Sequence, residues 1–396
     1  MKKEKNRTEG LKSNGRYFDP MSITWTQKYD KQISIVWNAI PERISKIIAT
    51  IAIFLLGISI NGDWIAIWFH TSCQLGIYRI DHAASNSSFR WSELSLEYFK
   101  MKNLWSYWWP SCLVSYGIYF IVGGFIHWYY YVRRRHKPDE WKCQPQKWLS
   151  PELEKNEIIW GSTTLLLNAS VSSIFSCYLA NGGYSTIYYT FNEYGWIWFV
   201  LQFPLIFIFQ DYHIYWLHRL YHMPMLYKRF HKLHHRYKQP TVFSVTAIHP
   251  VESIHIQLSL IVPLFLVPCH WLPFYLSAFY AYYHGIIDHS GVNFKSFWWQ
   301  PWQPDAIFHD NHHQYFHVNF AFNIIYWDKL HGTYRRKDRI YNEDIYYGTG
   351  KPVESASGKE LLADIEEREL ENPLAYREEM PYKFSQQEKK KLKKKS

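Results

Sequence analysis

The chain has 396 residues, 47% of them apolar, and its 44 Lys and Arg against 34 Asp and Glu leave a formal charge of +10. Six positive charges sit together near the carboxyl end, at Lys389, Lys390, Lys391, Lys393, Lys394 and Lys395, so much of the basic balance belongs to a tail and is not a nucleic-acid footprint. The five cysteines Cys73, Cys112, Cys143, Cys177 and Cys269 are odd in number, widely spaced and without a CxxC pair, which argues against both a disulfide framework and a thiolate metal site.

A soluble chain of this length would usually divide into two or three domains, but long apolar segments with 20 Trp and 32 Tyr predict one membrane-embedded unit. Residues 1–43 read as a cytosolic segment without a cleavable signal, because Met1-Lys2-Lys3-Glu4-Lys5 leads into polar sequence. A first span is expected over Ile44 to Ile60, with Trp64 to Phe69 extending it or lying in the interface. The second, Leu104 to Val132, ends in Arg133-Arg134-Arg135, a flank expected on the cytoplasmic side. A third runs from Ile158 to Ala180 and a fourth from Gly195 to Leu217. Ile256 to Ile287, broken by Pro263, Pro268 and Pro273, reads as a kinked helical hairpin. The expected organisation is an amino-terminal transmembrane region over 44–150, a catalytic region with its own spans over 151–345, and a charged, partly disordered cytosolic tail over 346–396 in which Glu360 to Glu371 forms a surface helix. Lys393 and Lys394 resemble a dilysine signal for the endoplasmic reticulum, and the sequons at Asn6, Asn86 and Asn168 are patterns short enough to arise by chance.

Three histidine clusters carry the chemistry: His218-x3-His222, His231-x2-His234-His235 and His309-x2-His312-His313. On a helix, residues three and four apart share a face, so each cluster can aim ring nitrogens at one point. Neutral imidazole is a good ligand for iron, copper, nickel or zinc, and a metal offsets the cost of gathering these rings. Arg219 stands where an HExxH zinc protease needs glutamate. Counting crossings from Arg133 places all three clusters in the cytosol.

The strings Trp216-Leu-His218-Arg-Leu-Tyr-His222, Tyr227-Lys-Arg-Phe-His231-Lys-Leu-His234-His235 and Phe308-His309-Asp-Asn-His312-His313 resemble, in order and spacing, the fatty acid hydroxylase superfamily, also called the sterol desaturase family. The resemblance implies an all-α, polytopic membrane helical bundle with a cytosolic histidine-rich dimetal cap in the endoplasmic reticulum membrane. It also implies two iron ions, with zinc able to fill such sites in isolated protein, and O2 as co-substrate. Electrons would come from NADH or NADPH through cytochrome b5 and its reductase. His289 matches an isolated histidine that these relatives carry before the last box, which makes the implied ligand set His218, His222, His231, His234, His235, His289, His309, His312 and His313. His284 does not match it. His249 is expected to hydrogen-bond a ligand, Asp211 to orient one or to act as a cap, and Asp310 and Asn311 to hold imidazole tautomers.

Substrate clues conflict. Asp288-His289-Ser290-Gly291 to Phe294 and Trp327-Asp328-Lys329-Leu330-His331-Gly332-Thr333 resemble sterol hydroxylases and methylsterol oxidases, whereas Pro240-Thr241-Val-Phe243 and Ala247-Ile-His249-Pro250 resemble sterol C-5 desaturases. The leading expectation is hydroxylation of a sterol or related lipid, with a C-5 desaturase or methylsterol oxidase as the nearest alternative. A fatty acyl or sphingolipid hydroxylase follows, and beyond the enzymes stand a metal-handling membrane protein and a lipid-binding scaffold without turnover.

Overall fold

The computed structural model describes residues 95–393 and, upstream, residues 32, 35–41, 43–45, 47 and 48. Most of the first expected span, the sequons at Asn6 and Asn86 and Cys73 lie outside the described residues.

Among the described residues, three helices are long and apolar enough to cross a membrane: α1 (Leu104–Arg133), α2 (Pro151–Ala180) and α3 (Trp196–Tyr221). At about 1.5 Å per residue each exceeds the ~30 Å hydrocarbon core. Trp105, Ile121, Ile197 and Val200 remain exposed on their outer faces, where lipid tails would cover them. α2 begins seven residues before the apolar run because its polar start is built to initiate a helix: the Ser150 side chain accepts from Leu153 N–H, Pro151 opens the first turn, and Glu152 and Glu154 face the positive end of the helix dipole. α3 continues past Leu217 and so carries His218 on its last turn.

The expected hairpin forms as α4 (Pro250–Ile261) and α5 (Trp271–Asp288), with Pro263 opening the short turn Pro263–Leu266 between them. The bend is tied down where β2 (Cys269–His270) pairs in parallel with β1 (Ile187–Tyr188). α1 packs on α2, α2 on α4, and α3 on both hairpin arms. The turn Val242–Thr246 crosses α2 at Gly161, where a Cβ would come within 2.7 Å of the Phe243 carbonyl oxygen.

At the histidine end lies α6 (Ile307–Tyr315), every residue of which is buried. Behind it lies the carboxyl-terminal segment, where a helix forms close to the expected Glu360 to Glu371 but packs one face inward. Its helix α7 (Gly358–Glu369) starts with a capping box between Ser357 and Glu360 and buries Leu361 and Ile365, one turn apart. Met380, Tyr382 and Phe384 are buried beyond it, and the lysine-rich end is helical over Gln386–Lys393. Apolar residues at helical spacing inside a charged stretch, together with a buried Arg335–Glu371 ion pair, explain why this segment packs.

Candidate metal centre

The first histidine pair sits on the last turn of α3, where a spacing of four aligns His218 and His222. The second cluster lies on a 3₁₀ helix, His231–Arg236, and not on an α-helix. The third occupies α6, and His289 caps the end of α5.

All nine histidines converge, and each is at most 5% exposed. They form two adjacent groups, within each of which the candidate ligand atoms lie within 4.8 Å of one another. His218, His222, His231, His235 and His312 form the first; His234, His289, His309 and His313 form the second. Only the first cluster serves one point. The other two straddle both groups, the second because its tight turn separates His234 from His231 and His235, the third because His309 and His313 share a face that His312 does not. His235 and His313 join the groups, with ring centroids 5.0 Å apart.

Hydrogen bonds on the outer side of the rings set the tautomers. His218 Nδ1–H donates to the Phe320 carbonyl at 2.7 Å, His312 Nδ1–H to that of Val318 at 2.7 Å, and His289 Nδ1–H to that of Gly285 at 2.7 Å. His231 Nδ1–H donates to the Glu252 carboxylate at 2.6 Å. His317 Nε2–H donates to the Glu343 carbonyl, so its bare Nδ1 accepts from His222 Nδ1–H at 2.9 Å. His218 and His222 are both left with bare Nε2 atoms, and these face each other at 3.2 Å. Two lone pairs at that distance repel unless a cation lies between them, and nitrogens held about 2.0–2.1 Å from one ion at near right angles lie about 3 Å apart. Buried Nε2 atoms of His231 and His312, and both ring nitrogens of His313, likewise lack a protein partner.

Burial keeps these rings in the neutral, ligating form. It pulls His231 down to about 3 and His289 to about 4, and it pushes His222, His234, His235, His309, His312 and His313 well below the usual histidine value. Neither group includes a carboxylate. Two closed sets of neutral nitrogen donors fit a pair of transition-metal ions.

Several supporting residues differ from expectation. His249 accepts at Nδ1 from Val251 N–H, capping α4, while its ring packs on Phe230. Asp211 accepts from Asn323 and Ile324 backbone N–H groups, the Asn323 amide and the Trp327 indole, so it anchors the chain after the last box. Asp310 accepts from the Gln144 amide and Asn311 donates to the Tyr376 hydroxyl, so neither sets a tautomer; both tie α6 to the segments behind it. His284 belongs to neither group and packs against Tyr280. Glu252 and His317, which do hold the tautomers of candidate ligands, were missed: His317 follows the last box with no motif of its own, and Glu252 lies 21 residues from His231.

A cavity of about 570 Å³ runs between α1, α2, α3, α4 and α5 and reaches His218, His231, His234 and His289, members of both groups. Its size falls in the ~300–1,000 Å³ range of small-molecule sites.

Residues 203–333, which contain all nine histidines, match the model of the fatty acid hydroxylase family. A Delta(7)-sterol 5(6)-desaturase of Gibberella zeae is 29% identical over 215 residues, 53% of this chain and 60% of that protein. One of Leptosphaeria maculans is 30% identical over 199 residues, 50% of this chain and 54% of its own. One of Schizosaccharomyces pombe is 27% identical over 231 residues, 54% of this chain and 76% of its own. The chain spans about half the length of most of these curated relatives. No solved structure matches it significantly. The chain thus carries a fatty acid hydroxylase domain over residues 203–333, and over about half its length it is similar to sterol desaturases.

Proposed function

We propose that the protein is a membrane-bound, O2-dependent sterol desaturase. One observation carries the reading: a cavity among membrane-length helices ends on both histidine groups, so a lipid could reach the metal centre without leaving the bilayer. The names of the relatives tip the choice between the two sterol chemistries toward desaturation over hydroxylation.

His218, His222, His231, His235 and His312 would hold one ion, and His234, His289, His309 and His313 the other. Iron is the reading for both, and such a pair supplies O2 activation and the oxidation of unactivated C–H bonds. The chain's own residues bind and orient: Glu252, His317 and three backbone carbonyls fix the rings, and the apolar cavity wall excludes water. In balance, two neighbouring C–H bonds of the sterol and O2, with two electrons and two protons, give a C=C bond and two waters. Cytochrome b5 and its reductase, fed by NADH or NADPH, are the proposed electron source. The endoplasmic reticulum membrane, with the histidines on the cytosolic side, is the proposed location.

Lipid mass spectrometry of cells expressing the wild type beside a His235→Ala, His312→Ala variant tests this. The expected result is a sterol two hydrogens lighter in the wild type only. A sterol gaining one oxygen would make the protein a hydroxylase, and an oxidised acyl chain with unchanged sterols would overturn the sterol reading.

A further inference from the structure

The cavity wall is mostly apolar away from the histidines, and three hydroxyl–carboxamide pairs stand among its polar side chains. The Ser253 hydroxyl on α4 donates to Asn168 Oδ1 on α2, and the Ser172 hydroxyl on α2 donates at 3.1 Å to Gln257 Oε1 on α4. In a third pair, Ser277 donates to Gln210 Oε1 at 2.9 Å, but there the amide nitrogen is already used, donating to the Leu260 carbonyl at 2.6 Å. Asn168 and Gln257 differ: a serine pins each carboxamide by its oxygen, both residues line the cavity, and among the described residues neither NH₂ group donates to a protein atom. Placing two carboxamides inside a membrane bundle is costly unless their donors are satisfied. They are therefore matched to a ligand oxygen that accepts.

Their height in the cavity matters as much as their chemistry. Ser253 is the next residue after Glu252, whose carboxylate holds His231, and Gln257 is five residues on, about 7 Å along the helix. An oxygen bound by these amides thus sits within roughly two helical turns of the histidine end, with the more apolar reach toward Leu264 and Phe274 beyond it.

We propose that Asn168 and Gln257 bind the ring hydroxyl of the sterol and so present the ring system, rather than the hydrocarbon side chain, to the metal centre. This rests on the sterol reading above. It also gives a role to Asn168, which stood out in the sequence only as part of a sequon.

The test is equilibrium binding to the purified full chain of a radiolabelled 3-hydroxysterol and its 3-deoxy counterpart. The wild type should prefer the hydroxysterol by about tenfold or more, the usual consequence of covering unpaired donors with an apolar ligand. Asn168→Leu with Gln257→Met, which keep approximate volume, should abolish the preference while 3-deoxysterol binding persists. Ser253→Ala with Ser172→Ala, which unpin the amides, should weaken it and guards against misfolding of the first variant. Equal binding of the two sterols to the wild type, or an undiminished preference in both double variants, overturns the proposal. Binding is read apart from turnover, so a wild type that discriminates between the ligands yet leaves sterols unoxidised would fail the desaturase reading and leave this site standing.

Discussion

His222 and His317 face each other through their Nδ1 atoms, 2.9 Å apart, and only one of these nitrogens can carry the proton. His317 Nε2–H is committed to the Glu343 carbonyl at 2.8 Å, so the proton belongs to His222 and its Nε2 is left bare toward the first histidine group. A residue outside every box thereby decides the tautomer of one inside.

Replacing His317 with Leu, which keeps volume but cannot accept, should free His222 to take the other tautomer. Metal affinity at the first group should fall about 10- to 100-fold, the usual cost of losing a partner that orients a ligand. Chelator competition on purified protein measures it. Unchanged affinity would mean that His222 is not a ligand or that His317 does not orient it.

Glu252 plays the same part for His231, with a buried carboxylate in place of an imidazole. Glu252→Gln keeps an oxygen that can accept from His231 Nδ1–H, whereas Glu252→Leu does not. Bound metal per chain should therefore fall much less in the Gln variant than in the Leu variant. Equal losses would show that the negative charge, rather than the accepting oxygen, is what matters, because the amide preserves one without the other.

How far the sequence could be read follows from what each feature depends on. Eight of the nine converging histidines were legible because spacings of three and four are local, while the isolated His289 was reached only through the family resemblance, and α2, α3 and the hairpin were legible because apolar runs of that length are. The division into two groups was not, since it depends on the 3₁₀ turn at His231 and on α6 presenting His312 to one side and His309 and His313 to the other. Phe320, Val318 and Gly285 orient candidate ligands through backbone carbonyls, which no residue identity records. The helix of the carboxyl-terminal segment was legible but its packing was not, because the charged composition hides Leu361, Ile365 and the pair that anchors it.

That pair gives a pH-dependent prediction. Arg335 and Glu371 are both fully buried, with Nη2 and Oε1 2.7 Å apart, and the Tyr315 and Tyr376 hydroxyls also donate to the carboxylate. Tyr315 closes α6 two residues after His313, so the pair braces the helix that carries three of the nine histidines. Burial alone would push the Glu371 carboxyl upward, but Arg335 and the Tyr315 and Tyr376 hydroxyls together outweigh it and hold the group below the usual glutamate value. Because the folded value is depressed, the stabilisation is fully present above the unfolded value of about 4.3 and is lost as pH falls through the folded one. Glu371→Gln, which leaves Arg335 buried without a counter-charge, should cost about 3–5 kcal/mol near neutral pH. Thermal midpoints in detergent from pH 7 down to pH 3 would show it: a lower midpoint for the variant at pH 7, and a gap to the wild type that narrows below about pH 4 as the wild-type carboxylate takes up its proton. A gap that stayed constant across that range would mean that the ionised form of Glu371 contributes nothing to holding α6 in place.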